Sequence, residues 1–207
     1  MRLGEHVLEE AARLAGGWGV ARVTPGAAGS ARGGGRYRLV EGVFGLGERG
    51  GKKGGAHVGK NPTDRGKPGS KRHVVVERRG IPLAVVLTAA NVHDSKVFEK
   101  LVDAVEPIRG PAGRPGRPRR RPEKLHADKG YDFARCRETL RRRSIKGRIA
   151  RRGVESSQKL GGHRWVVERT LAWLARNRRL AVRYERRADI HEAFLYLGCS
   201  LICLNNL

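Results

Sequence analysis

The sequence predicts an α/β or α+β domain in which helices pack on a central β-sheet. Hydrophobic residues make up 39% of the 207 residues, which is enough to build a core. Short β-branched runs and helical periods follow one another as three strands, a helix, a strand, a helix, a strand and then helices. This mixed order is typical of a sheet with helices packed on it.

Residues 1–35 are predicted to form a leader outside this domain. The segment "EHVLEEAARLA" has helical spacing, whereas residues 16–35 are rich in glycine and alanine and have no period. From residue 36 onward the turn signals become regular, so the domain is expected to cover residues 36–207.

The first half of the domain predicts three strands and a helix. "RYRLVEGVFG" predicts the first strand, and a basic, glycine-rich loop follows it at 49–73. "RHVVVERRGIPLAVVLTA" contains two β-branched runs around an Arg-Gly turn, which predicts a β-hairpin. "HDSKVFEKLVDAVEP" predicts a helix that is capped by Asp94 or Ser95.

The second half predicts two further strands and three helices. A linker rich in proline, glycine and arginine is expected at 109–122, before the strand "EKLHAD". "FARCRETLRRR" predicts a helix with Asp132 as its N-cap, and "SIKGRIAR" predicts the last strand. "HRWVVERTLAWLARNRRL" and "DIHEAFLYLGCSLICL" predict helices, the second opened by a capping box of Asp189 and Glu192.

The charge of the chain indicates a polyanionic partner. Forty-four lysines and arginines stand against 20 acidic residues, giving a net charge of +24 and a pI of about 11.3. A field of this sign favours duplex DNA or RNA. A membrane is not expected, because the longest apolar run, "FLYLGCSLICL", has 11 residues and is too short to span a bilayer.

The cysteines and the N-terminus indicate a cytoplasmic protein. Cys136, Cys199 and Cys203 lie among apolar or helical residues without the paired spacing of a zinc site, so buried reduced thiols are expected. The first residues carry three glutamates where a signal peptide would be apolar.

Three acidic residues inside apolar elements are candidate metal ligands. Glu41 lies in the first strand, Asp128 at the carboxyl end of the fourth and Glu168 in an apolar helix. A buried acid is costly unless it is paired or liganded, and strand ends are where open α/β sheets bind ligands. Carboxylates suit Mg²⁺ or Mn²⁺, and two such ions can activate the attacking oxygen and stabilise the leaving oxygen in phosphodiester displacement.

Ordinary structural roles are open for the same acids. Asp128 could be a turn residue before Lys129, and Glu168 could form a salt bridge with Arg164 one helical turn earlier. Glu41 could pair with an arginine across the sheet. Spacing along the chain does not decide between these roles and metal binding.

Four segments in a fixed order resemble the DDE transposases of bacterial insertion sequences, of the insertion-sequence-five group. The resemblance covers about residues 36–207 and implies a ribonuclease-H-like mixed sheet flanked by helices. It also implies a DDE triad that binds Mg²⁺ (or Mn²⁺) and performs DNA strand cleavage and transfer. The segments are "VEGVFGLGERGG", "NPTDRGKPGSKRHVVVERRGIPLAVVLTAANVHD", "LHADKGYD" and "HRWVVERTLAWLARNRRL".

The resemblance assigns the triad, with one departure. Asp128 of "HADKGYD" matches the second acid and Glu168 of "HRWVVERT" matches the third. At the first position the family has Asp-Gly-x-Phe, and "EGVF" puts Glu41 in place of the aspartate. Because glutamate is one methylene longer, the resemblance implies a weakened or inactive first ligand. Gly161 and Ala175 also replace a tyrosine and a lysine of the family pattern.

The N-terminus and the basic residues carry the remaining expectations. The leader stands where family members have a helical region that recognises transposon ends, which implies a truncated copy or the second reading frame of a frameshifted element.

The residues predicted to contact DNA phosphates are basic and lie in the loop at 49–73 or near Glu168. They are Lys52, Lys53, Lys60, Arg65, Lys67, Lys71, Arg72, Arg164 and Arg176.

The sequence therefore predicts an insertion-sequence transposase. Its expected partner is double-stranded DNA, both transposon ends and target, and the resemblance implies a homo-oligomer in the bacterial cytoplasm, associated with the nucleoid. Two alternatives are a catalytically inactive transposase remnant that binds DNA by charge alone, and a ribonuclease-H-like nuclease.

Overall fold

The structure is a computed structural model, and it describes residues 41–51, 54–108, 117–119, 121–154 and 161–206. For residues 41–49 and 161–164 it describes the backbone. The predicted leader at 1–35 lies outside the described residues, as do Lys52, Lys53 and most of the predicted linker.

In the described part of the chain, six strands and five helices keep the predicted order, with a short strand (β2) and a short helix (α4) in addition to the predicted elements. The strands are β1 (Glu41–Gly50), β2 (Gly59–Lys60), β3 (Pro68–Glu77), β4 (Pro82–Ala89), β5 (Lys124–Ala127) and β6 (Lys146–Ile149). The helices are α1 (Asp94–Asp103), α2 (Ala134–Arg142), α3 (Gly161–Arg176), α4 (Arg178–Ala181) and α5 (Ala188–Leu204), with a short 3₁₀ turn at Lys129–Tyr131.

The strands form one mixed sheet. β1 lies in its middle, antiparallel to β3 and parallel to β5. β4 and the short β2 are antiparallel to β3, and β6 is parallel to β5. An antiparallel hairpin on one side of β1 and two parallel strands on the other give the ribonuclease-H-like mixed sheet that the resemblance implies.

Helices cover both faces of the sheet. The valines of β3 point alternately to one face and to the other, so both faces are apolar and need a covering layer. Val75 packs with Phe98 of α1 and Leu140 of α2 in one core. Val74 and Val76 point to the opposite face and pack in a second core under α3 and α5. Successive strand residues face opposite sides, so a strand buried on both faces is apolar without interruption. The predicted α/β sheet flanked by helices is confirmed.

Two buried arginines join the sheet to the C-terminal helices. Arg72 of β3 donates from Nη2 to the Leu180 carbonyl oxygen at 2.5 Å. Arg183 donates to the carbonyl oxygens of Ala56, His57 and Glu185 and to Oγ of Ser70. A buried guanidinium is tolerated when its donors are matched in this way. These bonds fix the C-terminal layer against β3 and against the segment before β2.

Three predicted helix caps are wrong. The N-cap of α1 is His93, whose Nδ1 accepts from the Ser95 amide, because Asp94 is already helical and binds Lys71 instead. The N-cap of α2 is Phe133, since Asp132 accepts from the Arg137 guanidinium and the Arg152 amide.

The third cap is that of α5. Its N-cap is Arg187, without a side-chain cap bond, and Asp189 lies in the first turn, where it accepts from Arg187. The loop predicted at 49–73 is shorter than expected, because β1 extends to Gly50 and β3 begins at Pro68. Asn61 accepts from the Thr63 amide and hydroxyl through Oδ1 and from the Gly66 amide through its carbonyl.

Two further predictions concern the cysteines and the membrane. Cys136, Cys199 and Cys203 are buried and free, as predicted. None of the helices in the described part of the chain combines the length and the apolar content that crossing a bilayer requires.

Replacing Arg183 with lysine should destabilise the fold by about 3 kcal/mol, because a single ammonium leaves several buried carbonyl oxygens without a donor. Urea denaturation measures the change. Arg179→Lys is the matched control, since the Arg179 side chain is 61% exposed and its replacement should cost less than about 0.5 kcal/mol. Equal losses in the two variants would show that Arg183 does not hold the layers together.

The free energy of unfolding should fall as the pH drops from 6.5 to about 4. Burial lowers the pKa of His73 and of His191 to about 4, and the Arg72 charge contributes at His191. The unfolded chain therefore binds these protons before the folded chain does, so acid favours unfolding by about 3 kcal/mol for each histidine. Denaturation of His73→Gln and His191→Gln across this range should give shallower slopes, and unchanged slopes would refute the assignment.

Candidate active site and nucleic-acid interface

Asp128 lies where β5 ends, on the exposed edge of the sheet. Its backbone is extended, with φ −78° and ψ −178°, and Oδ1 accepts from the Gly130 amide at 2.8 Å. The carboxylate thus begins the 3₁₀ turn Lys129–Tyr131 and stays accessible to solvent. Both roles that the sequence left open, turn residue and ligand, are compatible with this position.

A second carboxylate, that of Asp94, lies close to Asp128. A Cβ built on Gly130 would be 3.0 Å from Asp128 Oδ1 and 3.9 Å from Asp94 Oδ2. Beneath them the buried Tyr131 phenol has a pKa raised well above its usual value, first by burial and then by the charges of Asp94 and Asp128. Asp94 already accepts from Lys71 Nζ at 3.0 Å, so one of the two negative charges is balanced within the protein.

Basic side chains surround the same edge. This basic rim consists of Lys129, Arg135, Arg151 and Arg152. Arg135 and Arg152 lie over the Phe133 ring, with guanidinium carbons 5.0 and 4.6 Å from its centroid. Arg152 also donates from Nε to the Lys129 carbonyl oxygen at 3.1 Å. The rim residues lie on the segments that follow β5 and β6, and such a group of cations is suited to binding phosphates.

Glu168 lies on the exposed face of α3, the helix that covers β1 and β3. The opposite face of α3 buries Val166 and Val167 in the second core. The helix is anchored to the β3–β4 turn because Thr170 Oγ1 donates to the Gly80 carbonyl oxygen at 2.6 Å. Gly80 has a φ of +85°, and a side chain there would clash with Thr170.

Glu41 and Asp128 are not at the same level of the sheet. The β1–β5 register pairs Glu41 with Lys124, Gly42 with Leu125 and Val43 with His126. Continued by two residues, this register brings Gly45 beside Asp128. Among the described residues, no group of three histidine, cysteine or acidic side chains could hold a metal ion. Because the structure describes only the backbone at Glu41, the triad of Glu41, Asp128 and Glu168 stays a prediction.

The predicted DNA contacts divide into three groups. Lys60, Arg65, Lys67 and Arg176 are exposed, as a phosphate contact requires. Lys71 and Arg72 are a correction, because they are buried and bind Asp94 and Leu180 within the fold. Lys52, Lys53 and the Arg164 side chain lie outside what the structure describes.

Sequence reasoning missed the basic rim and Asp94 as neighbours of Asp128. Asp94 was expected to be only a helix cap, and the rim residues come from separate elements. The one local signal was the pair Arg151–Arg152 at the end of the last predicted strand, since parallel strands end at one edge of the sheet.

Two sequence comparisons show which known proteins the chain is similar to. Residues 39–205 match the protein family described as "Transposase DDE domain". A Burkholderia cepacia protein named "Putative transposase for insertion sequence element IS402" is 48% identical over 209 residues, which cover 100% of this chain and 97% of that protein.

Two solved structures were also matched. A chain in a cryoEM structure of a simian T-cell lymphotropic virus intasome with PP2A regulatory subunit B56 gamma has a TM-score of 0.48 and 14% identity, covering 78% of this chain and 49% of that one. The catalytic core domain of BIV integrase has a TM-score of 0.40 and 12% identity, covering 75% of this chain and 82% of that one.

Replacing Lys71 with methionine should destabilise the fold by about 2–3 kcal/mol, because it leaves the partly buried Asp94 carboxylate without its cation. The Lys71 and Asp94 side chains are only 9% and 23% exposed. Lys67→Met is the control, since the Lys67–Asp64 pair is exposed and its loss should cost no more than about 0.5 kcal/mol. Thermal or urea unfolding measures the stability of both variants. If the Lys71 variant is as stable as the Lys67 variant, the Lys71–Asp94 pair does not stabilise the fold, and Lys71 is again a candidate for DNA contact.

Proposed function

The chain belongs to the transposase family that carries the DDE domain, and we propose that it acts on DNA through the sheet edge formed by Asp128 and the basic rim. Members of this family are DNA-cleaving and strand-transferring enzymes of insertion elements. The observation that supports the proposal is the position of an exposed carboxylate among exposed cations at the end of a parallel strand. That arrangement allows a phosphodiester to bind next to an acidic group.

Within this proposal, the roles of the residues follow from their places in the fold. Asp128 and Glu168 are the second and third acids, both exposed on the elements that the resemblance assigns them. The basic rim contacts phosphates near Asp128. Lys60 ends β2, Arg65 and Lys67 follow it, and the three extend the basic surface along the duplex. The cations position the DNA but carry no sequence readout.

The family implies a divalent metal, and Mg²⁺ or Mn²⁺ is the finer expectation because the ligands are carboxylates. Such ions activate the attacking oxygen and stabilise the leaving oxygen during strand transfer. Asp128 and Glu168 supply two of the three carboxylates. Within this proposal Glu41 does not complete the set, because the β1 register pairs it with Lys124 rather than with Asp128.

The proposed partners are double-stranded DNA, as transposon ends and target, and further copies of the same chain. Simultaneous action on two ends requires more than one active subunit. A protein with these substrates works on the bacterial nucleoid, in the cytoplasm.

Neutralising the basic rim should weaken DNA binding more than removing the same charge elsewhere. Arg135→Gln, Arg151→Gln and Arg152→Gln together should lower affinity at least about tenfold. They should also reduce the slope of log K against log salt by about 0.9 for each phosphate that the rim no longer neutralises. Fluorescence anisotropy of a labelled duplex measures both quantities.

The matched control removes three exposed cations from the α1–α2 surface: Lys100→Gln, Arg141→Gln and Arg142→Gln. Arg141 and Arg142 already pair with Glu138 and Glu99, so this triple should change the slope little. If the two triple variants lose the same affinity for DNA, binding depends on the overall charge of the chain and not on the basic rim. A chain without salt-sensitive DNA binding would refute the proposed function.

A further inference from the structure

We propose that Gly45, and not Glu41, occupies the position of the first acid, so that this chain presents two of the three carboxylates of its family's site. The inference deepens the proposed function and rests on it, since it concerns the same edge of the sheet. It means that the chain as it stands binds DNA without holding the metal ions of strand cleavage.

The strand register carries the inference. Three consecutive Cα pairs join β1 to β5, each with the same offset, from Glu41 with Lys124 to Val43 with His126. The backbone of Asp128 remains extended, so the offset continues to the end of β5 and places Gly45 opposite Asp128. On its other side β1 pairs with β3 without interruption from Gly42 to Gly50, which leaves no bulge that could shift Glu41 toward Asp128.

The distance along the strands is too large for Glu41 to share an ion with Asp128. Four residues of strand span about 13 Å, and strand side chains stand roughly perpendicular to the sheet. Mg²⁺ binds carboxylate oxygens at about 2.0–2.1 Å, and paired ions lie about 3.5–4 Å apart. The one extra methylene of glutamate does not close a gap of this size.

The face of the sheet also favours position 45. Gly45 pairs with Val74, whose side chain lies in the second core under α3. Leu125 and Ala127 point into the first core, so the alternation of β5 places residues 124, 126 and 128 on the α3 side as well. A carboxylate at position 45 would therefore share one face with Asp128 and with the helix that carries Glu168.

Asp94 does not replace the missing acid. It lies at the start of α1, on the opposite face of the sheet, and Lys71 Nζ binds it at 3.0 Å. Lys71 and Val75 are four residues apart on β3 and therefore lie on the same face of the sheet. Val75 belongs to the first core, so Lys71 lies on the side of α1. The Asp94 carboxylate is thus already neutralised from the side away from α3.

Mn²⁺ binding tests the inference without relying on catalysis. Titrations followed by the electron paramagnetic resonance of free Mn²⁺ would compare the chain as it stands, Gly45→Asp, Gly45→Asn, Glu41→Asp, and Gly45→Asp with Asp128→Asn. We expect Gly45→Asp to bind Mn²⁺ at least about tenfold more tightly than the others, since even an outer-shell ligand contact is worth about 10–100-fold. Gly45→Asn controls for the size of the side chain. Tighter binding by Glu41→Asp, or Glu41-dependent binding by the unchanged chain, would overturn the proposal.

Disulfide formation tests the register if Gly45→Asp fails to fold. Neighbouring strands lie about 4.8 Å apart, within the Cα separation of about 4.4–6.8 Å that a disulfide accepts. Gly45→Cys with Asp128→Cys should form a disulfide under mild oxidation, whereas Glu41→Cys with Asp128→Cys should not. The native cysteines are buried and do not compete. The reverse result would refute the register.

DNA binding by the same variants separates this inference from the proposed function. Salt-sensitive binding that is equal in the unchanged chain and in Gly45→Asp, together with a gain of Mn²⁺ binding in Gly45→Asp alone, supports both. Retained DNA binding without the gain of Mn²⁺ binding overturns the assignment of Gly45 and leaves the proposed function intact.

Discussion

The parallel pairing of β1 with β5 is the constraint on which the site depends. β1 lies in the middle of the sheet, and its register with β5 decides which residue stands at the level of Asp128. A shift by one residue would turn each side chain of β1 to the other face, so a carboxylate must have both the right level and the right parity. Position 41 belongs to the same face of the sheet as position 45, but it lies four residues before the point in β1 that stands opposite Asp128.

The large positive charge serves two separate purposes in the structure. Arg72 and Arg183 are buried and stabilise the packing of the C-terminal helices by donating to carbonyl oxygens. Arg135, Arg151 and Arg152 of the basic rim remain exposed, as do Lys60, Arg65 and Lys67 at β2 and after it. Net charge therefore indicates a polyanionic partner, whereas burial decides which cations are available to bind it.

Most of the elements could be predicted from the sequence, because their signals are local. The Val74–Val76 run and the Arg-Gly turn predict the hairpin, and the spacing of Val97 and Leu101 predicts α1. The register of β1 could not be predicted, since a glycine-rich strand specifies its pairing weakly. The motif "EGVF" matched the family pattern by letters and so pointed to Glu41. Buried Arg72 and Lys71 were misassigned because their partners, Leu180 and Asp94, are remote in sequence.

Nicking of supercoiled plasmid DNA in Mn²⁺ tests the assignment of Gly45 most directly, when the unchanged chain is compared with Gly45→Asp and with Gly45→Asp combined with Asp128→Asn. We expect nicking by Gly45→Asp alone, because only that variant places carboxylates on both sides of the β1–β5 pair at the same level. Nicking by the unchanged chain that is lost in Glu41→Gln would contradict the assignment of Gly45, and would establish Glu41 as the first acid.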